Sequence, residues 1–83
     1  MVWVTAASHE GGWRLRLRFN DGLEAVVDLE NVLRNDSRPV FQATLDPQAF
    51  EHFRLALDTV VWETGLDLAP EFLHELAEAS RAA

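Results

Sequence analysis

Three histidines, His9, His52 and His74, are the side chains here best suited to acid–base or metal chemistry near neutral pH. His74 stands in the stretch HELAE (residues 74–78), with Glu75 beside it and Glu78 one helical turn on. A metalloprotease helix needs a second histidine where Glu78 stands, and no third ligand is evident. The spacing therefore predicts a solvated acidic helix face on which His74 and Glu78 form a weak surface pair. No metal or cofactor is expected.

The second candidate is the stretch WRLRLRF, where Arg14, Arg16 and Arg18 alternate with Trp13, Leu15, Leu17 and Phe19. Such a row could read nucleic acid as a β-ribbon. It could also receive an acidic protein, or be the wet face of a hairpin.

No serine lies in a Gly-x-Ser-x-Gly elbow, and no glycine spacing makes a phosphate loop. Asp21 reads as turn chemistry, Asp28 as an arginine partner and Asp46 as a helix cap. Asp67, in a loop with Gly65 and beside Trp62, reads first as a local backbone or capping group and second as partner surface. Trp62 reads first as core. No catalytic residue is assigned. Arg16, Trp62, Gly65 and Asp67 are the candidate partner-binding residues.

Strict period two over residues 13–19 predicts a half-buried strand, preceded by a strand over 2–8 and a break at SHEGG. Residues 23–28 form its return. A three-residue loop, Asn20-Asp21-Gly22, pairs Leu17 with Ala25 and Leu15 with Val27. It also sets Arg18 opposite Glu24 and Arg14 opposite Asp28, leaving only Arg16 without an acid opposite. A two-residue loop would put acids on the apolar face, so the longer one is predicted.

LENVLR suits a short helical turn, NDSRP a loop, and Asp46-Pro47 starts a short helix over 47–52. Phe53, Leu55 and Leu57 alternate as an inward face. An Asp58-Thr59 turn would pair Leu57 with Val60, Leu55 with Trp62 and Arg54 with Glu63. Pro70 opens the last helix, whose apolar stripe is Phe72, Leu73, Leu76 and Ala79 or Ser80, opposite Glu71, Glu75 and Glu78. The expectation is an α+β fold: a small antiparallel sheet of about five strands, short helical turns and a C-terminal helix, in one domain over 1–83.

The chain has 83 residues, 48% of them hydrophobic, with three Trp and five Phe, enough for one economical core. It has no cysteine, which excludes a disulfide framework or thiolate metal site and fits a cytoplasmic setting. No apolar run approaches the roughly 20 residues of a membrane span, and no signal peptide is visible. All seven basic residues are Arg, against fourteen acids, giving a net charge of −7. That balance repels phosphate and attracts a basic partner.

The ordered motifs LRFNDGLEAVVDL, VFQATLDPQAF and VVWETGLDLAPEFLHEL resemble a bacterial family, domain of unknown function 2442. The matching positions include Phe19, Asp21, Gly22, Asp28, Leu45, Asp46, Trp62, Gly65, Asp67, Pro70 and Glu71. The segment between Phe53 and Trp62 is shorter than is usual for that family. The resemblance implies an α+β domain without a defined catalytic residue. It also implies members that stand alone or precede a helix-turn-helix, some of them beside another small protein in a toxin–antitoxin-like arrangement. This chain ends before such a helix-turn-helix, as the bare module would.

The leading expectation is a non-enzymatic interaction module, an acidic antitoxin-like or regulatory partner of a basic protein. Open strand edges would also suit a homodimer. The alternatives are a nucleic-acid-associated regulator using the Arg14/Arg16/Arg18 face, and a small ligand binder or enzyme near Trp62 and Asp67.

Overall fold

The structure, a computed structural model, describes residues 1–82. The chain folds as α+β, with strands β1 (Val4–His9), β2 (Arg14–Phe19), β3 (Glu24–Asp28), β4 (Phe53–Ala56) and β5 (Thr59–Trp62). Its helices are α1 (Glu30–Arg34), α2 (Pro39–Thr44), α3 (Pro47–Glu51) and α4 (Pro70–Ala82). The five strands divide into two antiparallel sheets, β1-β2-β3 and β4-β5.

The first hairpin follows from its alternation. Leu15, Leu17 and Phe19 are buried and Arg14, Arg16 and Arg18 exposed. Leu15 pairs with Val27, Leu17 with Ala25, Arg18 with Glu24 and Arg14 with Asp28, the expected register. Gly22 supplies the left-handed residue of the three-residue loop, at φ +91°. Asp21 Oδ1 accepts the Leu23 amide at 3.0 Å. A bulge between Val4 and Ala6 interrupts β1 where it pairs with β2. Beside it, the Val4 amide donates to the Asp58 carbonyl at 3.0 Å, tying β1 to the β4–β5 turn.

The second hairpin departs from expectation. Its turn is Leu57-Asp58, both at positive φ (53° and 68°), rather than Asp58-Thr59. Phe53 therefore pairs with Trp62, Arg54 with Val61 and Leu55 with Val60. This is a slip of two residues, which keeps every side chain on its face, so alternation could not detect it. The expected inward face shrinks to Phe53, because Leu55 and Leu57 are exposed. Burial of Thr59, whose hydroxyl donates to the Leu68 carbonyl, fixes the shorter strand.

All three prolines open helices: Pro39, Pro47 and Pro70. In α3, Asp46 Oδ1 caps the Gln48 amide at 2.9 Å. Helix α2 was not expected. Arg38 at its cap makes no side-chain capping bond, so the usual signal is missing. The buried face of α4 is Leu73 and Ala77, with Leu76 half-buried, while Phe72 and Ala79 face solvent. The expected stripe was thus rotated, because small Ala77 lets α4 approach β3. Ser80 Oγ then donates to the Val26 carbonyl of β3 at 2.7 Å.

The core gathers the inner face of the three-stranded sheet with Leu29, Leu33, Phe50, Val60, Trp62 and Leu73. Phe50 sits at its centre, edge-on to Trp13 at 5.3 Å and tilted against Trp62 at 5.8 Å. Among the described residues, no helix is long and apolar enough to cross a membrane.

Candidate partner-binding surface

The arginine row lies on the outer face of the three-stranded sheet. Arg18 holds Glu24 through Nη2 at 2.9 Å and Nε at 3.0 Å. Arg16 reaches two acids, Glu24 at 3.4 Å and Glu10 at 3.5 Å. Hydrogen bonding to Glu10 is the chief cause that raises the Arg16 pKa, and hydrogen bonding from Arg18 the chief cause that lowers that of Glu24. Two sequence expectations are corrected here. Arg16, thought to lack an acid, has two, because long side chains reach diagonal neighbours as well as opposite ones. Arg14, opposite Asp28 in register, does not ion-pair with it. It donates to the Glu10 carbonyl at 3.3 Å, while Asp28 Oδ1 accepts the Glu30 amide at 2.9 Å and starts α1. Beside the row lies a shallow depression of about 180 Å³, lined by Ala6, Ala7, Ser8, Arg16, Arg18 and Glu24.

Trp62, Gly65 and Asp67 belong to the smaller sheet and its following turn. Trp62 is 1% exposed, and its indole N–H donates to the Phe50 carbonyl at 2.9 Å. Its role is core packing. Gly65 takes φ +98°, and its amide donates to the Trp62 carbonyl at 2.9 Å. That turn folds the chain back so that Asp67 bridges Val61. The Asp67 side chain is exposed and makes no hydrogen bond or ion pair among the described residues. Arg16, on the other sheet, is not part of this turn.

His74 is not on a solvated acidic face as expected. Its side chain is 18% exposed and sits edge-on to Phe19, with ring centroids 4.8 Å apart. Nε2 lies 2.8 Å from Asp21 Oδ2 and Nδ1 lies 3.2 Å from Glu78 Oε1, so the ring, when protonated, donates to both. The Asp21 hydrogen bond raises the His74 pKa above its ordinary 6.5. Asp21 is lowered, first by the Leu23 amide and then by His74. Nothing local in the sequence signals this contact, because its partners are 53 residues apart. A second pair that sequence reasoning missed is Thr44 and Thr64, whose hydroxyls meet at 2.7 Å beneath the surface. Among the described residues, no group of three or more His, Asp or Glu side chains is placed to hold a metal ion.

Comparison with known proteins adds a family to this geometry. No curated protein and no solved structure matches the chain. The family described as "Protein of unknown function (DUF2442)" matches residues 4–79. That span runs from the first residue of β1 well into α4, taking in the Asn20-Asp21-Gly22 loop, the Asp46 cap and the Gly65 turn. The chain belongs to this family.

Proposed function

We propose that this chain is a non-enzymatic interaction module that takes a basic protein partner. One observation carries the reading: among the described residues four of the seven arginines are held by four carboxylates, which leaves ten of the fourteen acids without an arginine partner against three arginines, Arg14, Arg54 and Arg81, without an acid. Arg16 and Arg18 are held by Glu10 and Glu24, Arg34 by Glu30 and Arg38 by Asp36. Glu71, Glu75 and Asp67 are exposed and make no ion pair among the described residues. A net charge of −7 therefore reaches the solvent as an acidic surface. Such a field draws a basic partner in and speeds encounter.

The same pairs weaken the nucleic-acid reading, since a phosphate would have to displace Glu24 from Arg18 and Arg16. The ligand-binding reading near Trp62 loses its aromatic wall to the core. Absence of cysteine favours a cytoplasmic setting.

Calorimetric titration with the purified product of the adjacent gene tests the proposal. The expected result is micromolar or tighter affinity that weakens as salt rises. No heat of binding at tens of micromolar, in low salt, would overturn it.

A further inference from the structure

Strands β1 and β4 belong to different sheets, yet they are pinned together at both ends. At one end the Val4 amide donates to the Asp58 carbonyl at 3.0 Å. At the other, His9 Nδ1 stands 3.7 Å from Glu51 Oε1. The two strands therefore run antiparallel, and their Cα atoms approach within 8 Å.

The alternation of hydrogen bonds in each ladder shows which backbone groups face this seam. The Glu10 amide donates to the Arg14 carbonyl at 3.0 Å, so Ala6 and Ser8, in the same register, turn their backbone groups toward β2 while Ala7 and His9 turn theirs away. The Glu63 amide donates to the His52 carbonyl at 3.2 Å, so Arg54 and Ala56 face β5 while Phe53 and Leu55 face outward. Among the described residues, none of these four outward-facing residues makes a backbone hydrogen bond across the seam. Extending the Val4–Asp58 register sets Ala7 against Leu55 and His9 against Phe53.

Side chains agree with that register. Ala7 and Phe53 pack on the core, the His9 ring lies 5.8 Å from that of Phe50, and Leu55 shares the face of fully buried Val60. The intervening pairs, Ala6 with Ala56 and Ser8 with Arg54, fall on the other face. A slip of one residue would mix the two faces. Leu55, 41% exposed although it stands opposite Val60, would gain cover from Ala7. Arg54 makes no ion pair among the described residues, although it shares a shallow hollow with Glu51 and Glu63. In the extended register it comes diagonal to Glu10, within reach of a long side chain. The bulge between Val4 and Ala6 lies next to the Val4 pin, where added twist in β1 parts the two strands.

We infer that β1 and β4 form a strap that exchanges between this parted form and a closed one, in which Ala7 pairs with Leu55 and His9 with Phe53 and the two sheets merge into one of five strands, β3-β2-β1-β4-β5. The device needs no partner and stands apart from the basic-partner reading.

The chain has no cysteine, so a cysteine pair introduced across the seam reports the closed form alone. Opposed side chains come closest at non-hydrogen-bonded positions, within disulfide reach. Ala6→Cys/Ala56→Cys is expected to cross-link in glutathione buffer at least ten-fold faster than the slipped pair Ala6→Cys/Arg54→Cys. The cross-link is expected to slow exchange of the Ala7, His9, Phe53 and Leu55 amides at least ten-fold. In the native chain these four amides are expected to exchange more slowly than in an unstructured peptide and faster than those of Leu15 and Leu17. Arg54→Glu, which sets like charge beside Glu10, is expected to speed the four at least three-fold and leave Leu15 and Leu17 unchanged. Equal cross-linking of the two pairs, or none in a folded chain, overturns the register. Native exchange of the four at unstructured-peptide rates, with Val4 still protected, overturns closure. Protection equal to that of Leu15 and Leu17 shows a permanently merged sheet and overturns the exchange.

Discussion

His74 on α4 and Asp21 in the β2–β3 loop close to 2.8 Å across 53 residues of sequence. The contact joins the C-terminal helix to the hairpin that supplies five of the sixteen buried hydrophobic side chains, and the Phe19 ring packs T-shaped against the imidazole. Helix and hairpin are thus fastened by a titratable pair as well as by Leu73 and Ala77.

Stability should follow that titration. The pKa of His74 is raised on folding, so its contribution is complete below pH 6.5 and is lost as pH rises through the higher folded value. The pKa of Asp21 is lowered from 3.8, so its contribution is present above that value and is lost as pH falls through the lower folded one. The pair therefore contributes most between about pH 4 and 6.5. Urea midpoints should be higher at pH 5.5 than at pH 8.5, and His74→Gln should shrink that difference. An imidazole resonance of His74 titrating at or below 6.5 contradicts the assignment.

Gly22→Ala should destabilise by about 1 kcal/mol. No atom lies within 4 Å of the added methyl, so the cost is purely that of holding alanine at φ +91°. Urea denaturation measures it, and Gly22→Asn should lose less, since asparagine tolerates that region better.

Trp62→Phe should cost about 1–3 kcal/mol, from an orphaned Phe50 carbonyl and lost packing. Affinity for the partner should not change, because the indole is buried. A variant of unaltered stability but weaker binding would return Trp62 to the binding surface.

Arg16→Ala should leave the urea midpoint nearly unchanged, since exposed ion pairs contribute little. The native chain should not retain an oligonucleotide on a filter at physiological ionic strength. Salt-sensitive retention lost in Arg16→Glu would revive the nucleic-acid reading.

The first hairpin was legible because register and burial agreed: one face was apolar, and a single-residue slip would have buried Glu24 and Asp28. The Asp46 cap and the prolines at 47 and 70 were legible for local reasons. The second hairpin was not, since a two-residue slip costs nothing in facing, and no glycine marked its turn. Helix α2 began on Pro39 without a capping side chain. Among the candidate site residues, Asp67 stays at the surface and Trp62 does not. A tryptophan at a strand position looks alike in sequence whether it packs or binds. The His74–Asp21 contact and the Val4–Asp58 backbone bond are tertiary, and no spacing in the sequence encodes them.

The Val4–Asp58 bond is, among the described residues, the one backbone hydrogen bond that joins the two sheets. Each hairpin therefore closes its own ladder, and the two are held together chiefly by side-chain packing, with Phe50 between Trp13 and Trp62. Amide exchange should separate them into two cooperative units, with the Val4 proton reporting when they part. Whatever seats itself across that seam would act as a clasp, slowing this exchange far from any residue it touches.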